Sequence, residues 1–530
     1  MATTAEWIAQ TLRRHGVQRI FGLPGGEVSD VMGACRQAGI EFVLARHENA
    51  AALMAAVTGE FTRQPGVVLA TVGPGAANLV NAVAHAFLDR APLLVLSAQV
   101  STVLAPVLPH QLVDLEALFR PITKWSVTLT GQDTPTAIER ALTLTTSGRP
   151  GPVYLALPSD LARLDEPERA AAPSIPSASA PSGADIARAL EHLGRAQRPL
   201  AVVGIACDPQ GTRSSLLRWL EAARIPVAVS AKAKGLVPED HPLFAATCTG
   251  MAGDRLFQSL VAEADLLVGI GFDPVEAIRP FYTERPFLSI AEYSIAEPAF
   301  APVLELIGNV AGTLEKLKTQ PAHGWQPTRI PELRRALVAL LAPTLQPVNG
   351  LSPADLCQTL RGLAPADTIL SMDTGAHKLL FGQAWPCTEP QTFFVSHGLS
   401  TMGFAVPAAV ALKLQCPDRP VIAVTGDGGL AMVVSELETA ARLRLPLLVI
   451  VLSDGSLQLI RMHQERRGHP AFGVQFGAID FAGIAEGFGC RGVRAQTRSE
   501  VQAAVAEALT ADRPTLLEVP VDRADYDRML

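Results

Sequence analysis

The chain has 530 residues, of which 48% are hydrophobic and 18% are charged, and its formal net charge at pH 7 is −7. This length is enough for about three domains, each with a core of its own. Charges of both signs are scattered along an acidic chain, which excludes nucleic acid as the expected main partner. No uninterrupted apolar run reaches the ~18 residues of a membrane helix, so no membrane partner is expected either.

The seven cysteines form no CxxC pair and no dense framework, a pattern typical of incidental thiols in a reducing compartment. The first residues mix acidic and basic side chains in an amphipathic pattern, whereas a signal peptide has an apolar core. We therefore expect a soluble cytoplasmic protein.

Residues 1–165 alternate between helical and strand patterns. Helices are expected at residues 5–15 and 50–62, and strands at residues 19–22, 41–44, 67–71, 93–97 and 153–157. Alternating elements of this kind predict an open, doubly wound α/β domain.

The rest of the chain repeats this organisation twice. Residues 166–183 are rich in Ala, Ser and Pro and are expected to be a linker. Residues 184–330 form the second α/β unit, residues 331–350 hold a helix and a proline-containing connection, and residues 351–530 form the third unit. The predicted fold class is therefore α/β, with three doubly wound parallel-sheet domains.

The most informative stretch lies in the third unit. An apolar strand at residues 421–425 precedes a predicted turn, Gly426–Gly429, and a helix then leads to a second buried strand. Asp427 follows the first strand and Asp454 the second. Because parallel strands of a βαβ unit end at the same sheet edge, these carboxylates are expected to converge. The glycines between them let backbone N–H groups approach a phosphate.

Two oxygen-donor side chains beside a phosphate cradle describe a Mg²⁺ site, since this cation takes one or two carboxylates and fills its octahedron with phosphate oxygens and water. Taken alone, the GDGG sequence is only a tight turn and Asp454 only a helix cap. The second acid at the matching strand end favours the phosphate–metal site.

GDG followed by a polar pair after the next strand resembles the cofactor motif of thiamine diphosphate-dependent enzymes. The family usually has Asn-Asn at that pair, whereas this chain has Ser453-Asp454. The resemblance implies Mg²⁺ ligands at Asp427, Asp454 and the backbone carbonyl of Ser456. It also implies a pyrimidine-binding domain at residues 1–165, a central domain at 184–330 and a diphosphate-binding domain at 351–530.

The sequence RHENAAALMA, residues 46–55, resembles the family's RHE-x-x-A-A-x-M-A pattern. By itself Glu48 is an acidic residue in the first turn of a helix, a common position that the helix dipole favours. The resemblance implies that its carboxylate hydrogen-bonds the aminopyrimidine ring of the cofactor and promotes its imino tautomer. Glu48 is therefore the first candidate catalytic residue.

Further segments are similar to the family's cofactor loops: PGG at 24–26, GPGAAN at 73–78, DTGAH at 373–377 and HGLSTMGFAVP at 397–407. The implied cofactor-binding residues are Pro24, Glu48, Gly73, Asn78, Ala376, His377, Ser400, Met402, Gly426, Asp427, Gly428, Gly429, Asp454, Ser456 and Leu457. Taken alone, Met402 indicates ordinary core packing and His377 a satisfied histidine. Because the contacts come from the first and third domains, the resemblance implies sites between subunits, in a homodimer or homotetramer.

Within the family, RPITKWS at residues 120–126 is similar to the RPITKHS segment of acetolactate synthases. His110-Gln111 and GFDPVE at 271–276 resemble the catabolic branch that does not use FAD. The resemblance implies thiamine diphosphate and Mg²⁺ as cofactors, with FAD not expected. The implied reaction decarboxylates pyruvate and joins the two-carbon unit to a second 2-oxo acid. His110 and Gln111 would orient the substrate.

Three alternatives remain open. The first is another thiamine diphosphate-dependent 2-oxo acid decarboxylase or carboligase with a different donor or acceptor. Pro109, Arg461 and His463 favour it, because they depart from the synthase pattern near the substrate end. The second is an FAD-dependent pyruvate oxidase. The third is a catalytically silent subunit, which the intact Glu48, Asp427 and Asp454 argue against.

Overall fold

The structure, a computed structural model, describes residues 2–167, 180–318, 320–343, 347 and 350–530. Most of the expected linker, at residues 168–179, and residues 344–346 and 348–349 of the second connection lie outside the described residues. The chain divides into two compact units. The first comprises Met1–Ser177, Gly398–Pro417 and Val433–Leu445, and the second Ala178–His397, Asp418–Met432 and Pro446–Leu530.

The first unit is built on a parallel sheet. The strands of this unit are β1 (Ala2–Thr3), β2 (Arg19–Leu23), β3 (Glu41–Leu44), β4 (Gly66–Ala70), β5 (Leu93–Gln99), β6 (Trp125–Thr128), β7 (Pro152–Pro158) and β8 (Asp165–Glu166). Six of them follow the order β3-β2-β4-β5-β7-β6, while β1 and β8 pair antiparallel. The helices are α1 (Thr4–Arg14), α2 (Ser29–Gln37), α3 (Glu48–Thr62), α4 (Pro74–Ala77), α5 (Val80–Leu88), α6 (Leu115–Phe119) and α7 (Thr134–Thr146). The central strands are continuous apolar runs because helices cover both faces of the sheet.

The second unit contains a central sheet with strands β9 (Pro199–Val203), β10 (Val227–Val229), β11 (Phe244–Thr247), β12 (Leu266–Ile270), β13 (Phe287–Ala291) and β14 (Leu304–Ile307). All are parallel, in the order β11-β10-β9-β12-β13-β14. The helices are α8 (Gly183–Arg195), α9 (Arg213–Ala223), α10 (Asp254–Glu263), α11 (Val310–Lys316) and α12 (Arg329–Leu340). Helix α12 occupies part of the connection expected at residues 331–350 and buries Ile330, Leu333 and Leu337 in the core of this sheet.

The third sheet, also in the second unit, has strands β15 (Ile369–Met372), β16 (Phe393–Val395), β17 (Val421–Gly426), β18 (Leu448–Ser453), β19 (Arg491–Arg494) and β20 (Thr515–Pro520). Their order is β16-β15-β17-β18-β20-β19, all parallel. The helices of this part of the chain are α13 (Pro353–Leu363), α14 (Ala376–Ala384), α15 (Ala405–Gln415), α16 (Asp427–Val433), α17 (Glu436–Arg442), α18 (Gln458–Arg466), α19 (Phe481–Gly487), α20 (Arg498–Ala508) and α21 (Ala524–Met529). Helices α15 and α17 belong to the first unit.

Three six-stranded parallel sheets confirm the predicted fold class. The turn predicted at Gly426–Gly429 is wrong, because α16 begins directly at Asp427. An acidic residue in the first helical turn is stabilised by the helix dipole, so no separate turn is needed there. None of the described helices is long and apolar enough to cross a membrane.

Candidate functional site

The two predicted metal ligands lie together at one edge of the third sheet. Strands β17 and β18 pair so that Gly426 faces Leu452, and the acids follow these strand ends. The Oδ2 atom of Asp427 accepts the backbone N–H groups of Asp454 at 3.0 Å and Gly455 at 2.7 Å. The convergence expected from the strand–helix–strand pattern is therefore present.

Burial and the neighbouring charge of Asp427 raise the pKa of Asp454 to about 7, and burial also raises the pKa of Asp427. Two carboxyl groups that are difficult to ionise side by side form a favourable donor set for a cation. Within the described ranges, no group of three His, Cys, Asp or Glu side chains could hold a metal ion alone. The set therefore fits Mg²⁺, which would take its remaining ligands from backbone, water and phosphate oxygens.

The loop after Asp454 contributes backbone atoms. Ser456 is buried, and its N–H donates to Oδ1 of Asp454 at 3.1 Å. Its carbonyl accepts the N–H of Gln458 at 2.9 Å and keeps a second lone pair for a cation. The N–H of Leu457 donates to the carbonyl of Val474 at 2.8 Å, so this amide is already engaged within the chain. Ser456 therefore fits its expected role as a metal ligand, whereas Leu457 fits its expected role in cofactor binding less well.

The end of β15 and the start of α14 form a cradle that fits a diphosphate. His377 is 7% exposed, and its Nε2 atom is buried without a hydrogen-bond partner, as is the hydroxyl of Thr374. A Cβ added to Gly375 would lie 2.5 Å from the imidazole, and one added to Gly426 would lie 3.2 Å from it. Burial and the charge of Lys378 lower the pKa of His377 to about 4, so the imidazole is neutral at pH 7. Buried polar atoms that lack partners beside glycines suit a phosphate-containing ligand.

A cavity of about 700 Å³ opens at the same edge of the third sheet. Both acids line it, together with Gly455, Arg494 and Gln496. The carboxyl ends of parallel strands are where ligands bind in open α/β sheets. The acids therefore face space that is large enough for part of a cofactor.

In the first unit, Glu48 is the first residue of α3 and is 6% exposed. Its Oε2 atom accepts a hydrogen bond from Nδ2 of Asn78 at 3.0 Å. Its Oε1 atom would lie 3.3 Å from a Cβ added to Gly75, and Thr71 Cγ2 would lie 2.6 Å from the same Cβ. Only glycine therefore fits at this position of the GPG segment, and the carboxylate is held in one orientation.

The candidate substrate residues lie beside the same segment. Gln111 has a positive φ of 58°, and its Cβ would lie 3.0 Å from a Cβ added to Gly73. His110 and Pro24 are exposed, so neither is fixed by packing within the first unit. Gln111 thus lies against the predicted cofactor loop, whereas His110 is exposed.

Ser400 and Met402 lie on the segment that the third part of the chain contributes to the first unit. The hydroxyl of Thr401, between them, accepts a hydrogen bond from Nδ2 of Asn81 at 2.9 Å. Ser400 has a φ of 55°, a left-handed conformation that is uncommon for residues other than glycine. Met402 is half-buried.

Sequence reasoning did not identify one buried acid that bonds to the chain just before Glu48. Glu436, on α17, is fully buried, and its Oε1 atom accepts the backbone N–H of Arg46 at 3.0 Å. Glu436 is the first residue of the helical sequence ELETAAR, and because an acidic residue in a first helical turn is common, the sequence offers no signal that distinguishes it. Its partner lies 390 residues away along the chain.

Arg461 takes part in ion pairs on the surface of α18. Its Nε atom donates to Glu465 at 3.0 Å, and Arg523 donates to the same carboxylate at 3.1 Å. Partly exposed pairs of this kind contribute little to stability. His463, on the same helix, is exposed.

Three family models match the chain in sequence order. They are the N-terminal TPP binding domain (residues 2–118), the central domain (186–317) and the C-terminal TPP binding domain (373–519) of thiamine pyrophosphate enzymes, the diphosphate being the same compound. Together these models cover most of each of the three α/β parts.

Relatives are similar over nearly the whole chain. The large subunit of acetolactate synthase isozyme 3 from Escherichia coli (strain K12) is 31% identical, over 99% of this chain and 96% of its own. The catabolic acetolactate synthase of Raoultella terrigena is 29% identical, over 98% and 95%. Among solved structures, the thiamine diphosphate-dependent 4-hydroxybenzoylformate decarboxylase of Rhodococcus jostii RHA1 has a TM-score of 0.85 and 26% identity, over 98% of this chain and 99% of its own.

Proposed function

Because the chain belongs to the family of thiamine diphosphate-dependent, acetolactate synthase-like enzymes, we propose that it is a Mg²⁺-dependent carboligase acting on 2-oxo acids. The reaction decarboxylates pyruvate and joins the resulting two-carbon unit to a second 2-oxo acid. The observation that carries the proposal is the buried Glu48 carboxylate, oriented by Asn78 at 3.0 Å. The synthase relatives, which are similar over the full chain, supply the substrate class.

Thiamine diphosphate, when bound, supplies the electron sink for breaking and forming carbon–carbon bonds. Asp427, Asp454 and the carbonyl of Ser456 would hold the Mg²⁺ ion. Ala376 and His377 would contact the diphosphate, because the imidazole has a buried nitrogen without a partner. Gly426, Gly428 and Gly429 would allow its close approach.

The remaining residues act on orientation and proton transfer. The Glu48 carboxylate would hydrogen-bond the aminopyrimidine ring, and Asn78 keeps the carboxylate from rotating away. Ser400 and Met402 would orient the ring, and Gly73 and Pro24 would border it. Gln111 hydrogen-bonds the carboxylate or carbonyl group of the 2-oxo acid, with His110 beside it.

The contacts of Glu276 support the expectation that the central domain holds no flavin. Its carboxylate accepts the N–H of Ile205 at 3.0 Å and that of Asp273 at 3.2 Å, and a Cβ added to Gly204 would lie 2.3 Å from it. The chain's own carboxylate thus fills the end of β9, where a nucleotide-binding domain places phosphate. This filled position supports an enzyme that works without FAD.

We also infer a homodimer or homotetramer with active sites shared between subunits, in the cytoplasm. Exposed apolar side chains in the first unit, including Val103 at 74% and Val107 at 77%, support burial by another copy. The seven cysteines are free thiols, as expected of a reducing compartment. A fully active monomer in gel filtration would contradict the shared site.

A second candidate is a 2-oxo acid decarboxylase that releases an aldehyde. The similarity to the 4-hydroxybenzoylformate decarboxylase favours it, because that structure matches nearly the whole chain. Both candidates share the decarboxylation step and differ in whether a second 2-oxo acid accepts the two-carbon unit.

The proposal is tested by removing Mg²⁺ and cofactor from the purified protein and restoring them singly and together. We expect CO₂ release from pyruvate only when both are present. A panel containing 2-oxobutyrate and benzoylformate identifies the preferred donor. CO₂ release that does not depend on thiamine diphosphate would contradict the proposal.

A further inference from the structure

Helix α17 contacts the chain immediately before the candidate catalytic carboxylate. The Glu436 carboxylate accepts the backbone N–H of Arg46 at 3.0 Å and also that of His47. The next residue is Glu48, the first residue of α3, for which His47 is the N-cap. Two consecutive amides that lead directly to Glu48 are therefore bound by one side chain.

Glu436 itself is firmly held. It is fully buried, and its second oxygen accepts the hydroxyl of Thr439 at 2.7 Å. Hydrogen bonds to a carboxylate are stronger than those between neutral groups, and a buried acceptor cannot exchange them for water. The carboxylate is therefore a fixed reference point within the first unit.

Other residues of α17 reinforce the same contact. Arg442 donates to the carbonyl of Leu44 at the end of β3. The Nε atom of Arg46 lies 3.9 Å from the carboxylate of Glu438. Helix α17 thus binds the connection between β3 and α3 at both its backbone and its side chains.

We propose that Glu436 is a positioning residue for Glu48, setting the direction in which the first turn of α3 presents the catalytic carboxylate. The inference rests on the proposed function, in which Glu48 acts on the cofactor. Asn78 fixes the far end of the Glu48 side chain at 3.0 Å, whereas Glu436 fixes the backbone from which that side chain leaves. Both constraints are needed, because displacing a catalytic carboxylate by about 1 Å can lower the rate by on the order of 100-fold.

The test variant is Glu436→Gln, which keeps the size of the side chain but replaces the carboxylate with an amide that has one acceptor oxygen and no negative charge. Three quantities are measured: kcat, the Kd of thiamine diphosphate with Mg²⁺, and the rate at which the bound cofactor exchanges its thiazolium C2 proton for deuterium. We expect kcat and the exchange rate to fall together by about tenfold or more, the size expected from losing one charge-assisted hydrogen bond. The Kd should change by less than about threefold.

Glu166→Gln is the matched control. Glu166 is 1% exposed in the same unit, and it accepts a backbone N–H from Thr134 at 3.0 Å and a hydroxyl from Thr4 at 2.5 Å. Like the partners of Glu436, these are a backbone N–H and a hydroxyl group. Neither Thr134 nor Thr4 directly precedes a candidate catalytic residue in the chain. We expect a comparable loss of Tm, with kcat and the exchange rate unchanged.

A double variant separates positioning from general stability. If Glu436 acts through Glu48, then adding Glu436→Gln to Glu48→Gln lowers the exchange rate no further. An effect that multiplies in the double variant, or an unchanged exchange rate in Glu436→Gln, would overturn the inference while leaving the proposed function intact. Wild-type protein that does not bind thiamine diphosphate would overturn both.

Discussion

The carboxylate of Asp427 accepts the backbone N–H of Asp454 at 3.0 Å, although the two residues are 27 positions apart in the chain. The bond joins the ends of β17 and β18, so each acid is fixed relative to the other before any ligand binds. A preformed pair of carboxyl groups lowers the cost of assembling a metal site. This pair should therefore decide whether the metal–diphosphate complex is retained.

We predict that Asp427→Ala weakens retention of Mg²⁺ and thiamine diphosphate by at least about tenfold, since the buried loop loses both a ligand and its hydrogen bonds. Dialysis followed by metal and cofactor analysis measures the retained fraction. Asp114→Ala is the control, because Asp114 only caps α6 through the N–H of Ala117. Equal retention in the two variants would remove Asp427 from the metal site.

The raised pKa of Asp454, about 7, predicts a pH-dependent effect of ligands. Without metal, the protonated form is favoured in the folded protein, so the stability it contributes is present at low pH and lost as pH rises through about 7. A cation replaces the proton, and its stabilising effect should grow from about pH 6 to about pH 8. The Tm is measured across this range with thiamine diphosphate present throughout, with and without Mg²⁺.

In Asp454→Asn the same Mg²⁺-dependent gain in Tm should be smaller and nearly independent of pH, because the titrating group is absent. The ionisation of free thiamine diphosphate is the same in both experiments. The difference in Tm gain between the wild type and Asp454→Asn therefore reports the titration of Asp454. A gain that falls with rising pH in the wild type would contradict the prediction.

Glu48→Gln should fold and bind the cofactor but lose about 10²- to 10⁴-fold in kcat, the range expected for removing a general acid–base group. The amide can still accept the hydrogen bond of Asn78, which keeps the geometry close to that of the wild type. Steady-state kinetics at saturating cofactor measure the loss. Turnover within about threefold of the wild type would exclude the assigned role.

The central domain should lose stability as pH rises from mildly acidic values to about 8. Burial and the negative charge of Asp273 raise the pKa of Glu276 to about 8. The stability contributed by the bound proton is fully present below about pH 4, where Glu is protonated in the unfolded chain too, and is lost as pH rises through about 8. Urea unfolding from about pH 5 to about pH 9 should show this fall in the wild type, levelling off above about pH 8, and a smaller one in Glu276→Gln. Parallel curves for the two proteins would show that Glu276 does not titrate there.

Local sequence patterns predicted the buried strands well, because apolar runs such as β4 and β18 are covered on both faces. They missed five edge strands of the three large sheets, β6, β11, β14, β16 and β19. The residues of β6 and β19 are mostly half-buried and carry no strong apolar pattern, and β11, β14 and β16 are runs of only three or four residues. They also placed a turn where α16 starts, since glycines beside Asp427 are typical of turns.

The candidate site was predictable where its residues follow strand ends, as Asp427 and Asp454 do. Glu48 required the resemblance to known cofactor motifs, because an acidic residue at a helix start is common. The role of Glu436 could not be found from the sequence, since it depends on a hydrogen bond to Arg46 across 390 residues. The engaged amide of Leu457 likewise depends on a distant partner, Val474.

The most direct test is incubation of the cofactor-loaded protein with ¹³C-labelled pyruvate, with the products followed by NMR. We predict that acetolactate forms together with CO₂, in amounts that depend on both Mg²⁺ and thiamine diphosphate. Acetaldehyde as the only product would contradict the carboligase and assign the protein as a decarboxylase. Pyruvate that remains unconsumed under these conditions would contradict pyruvate as the donor.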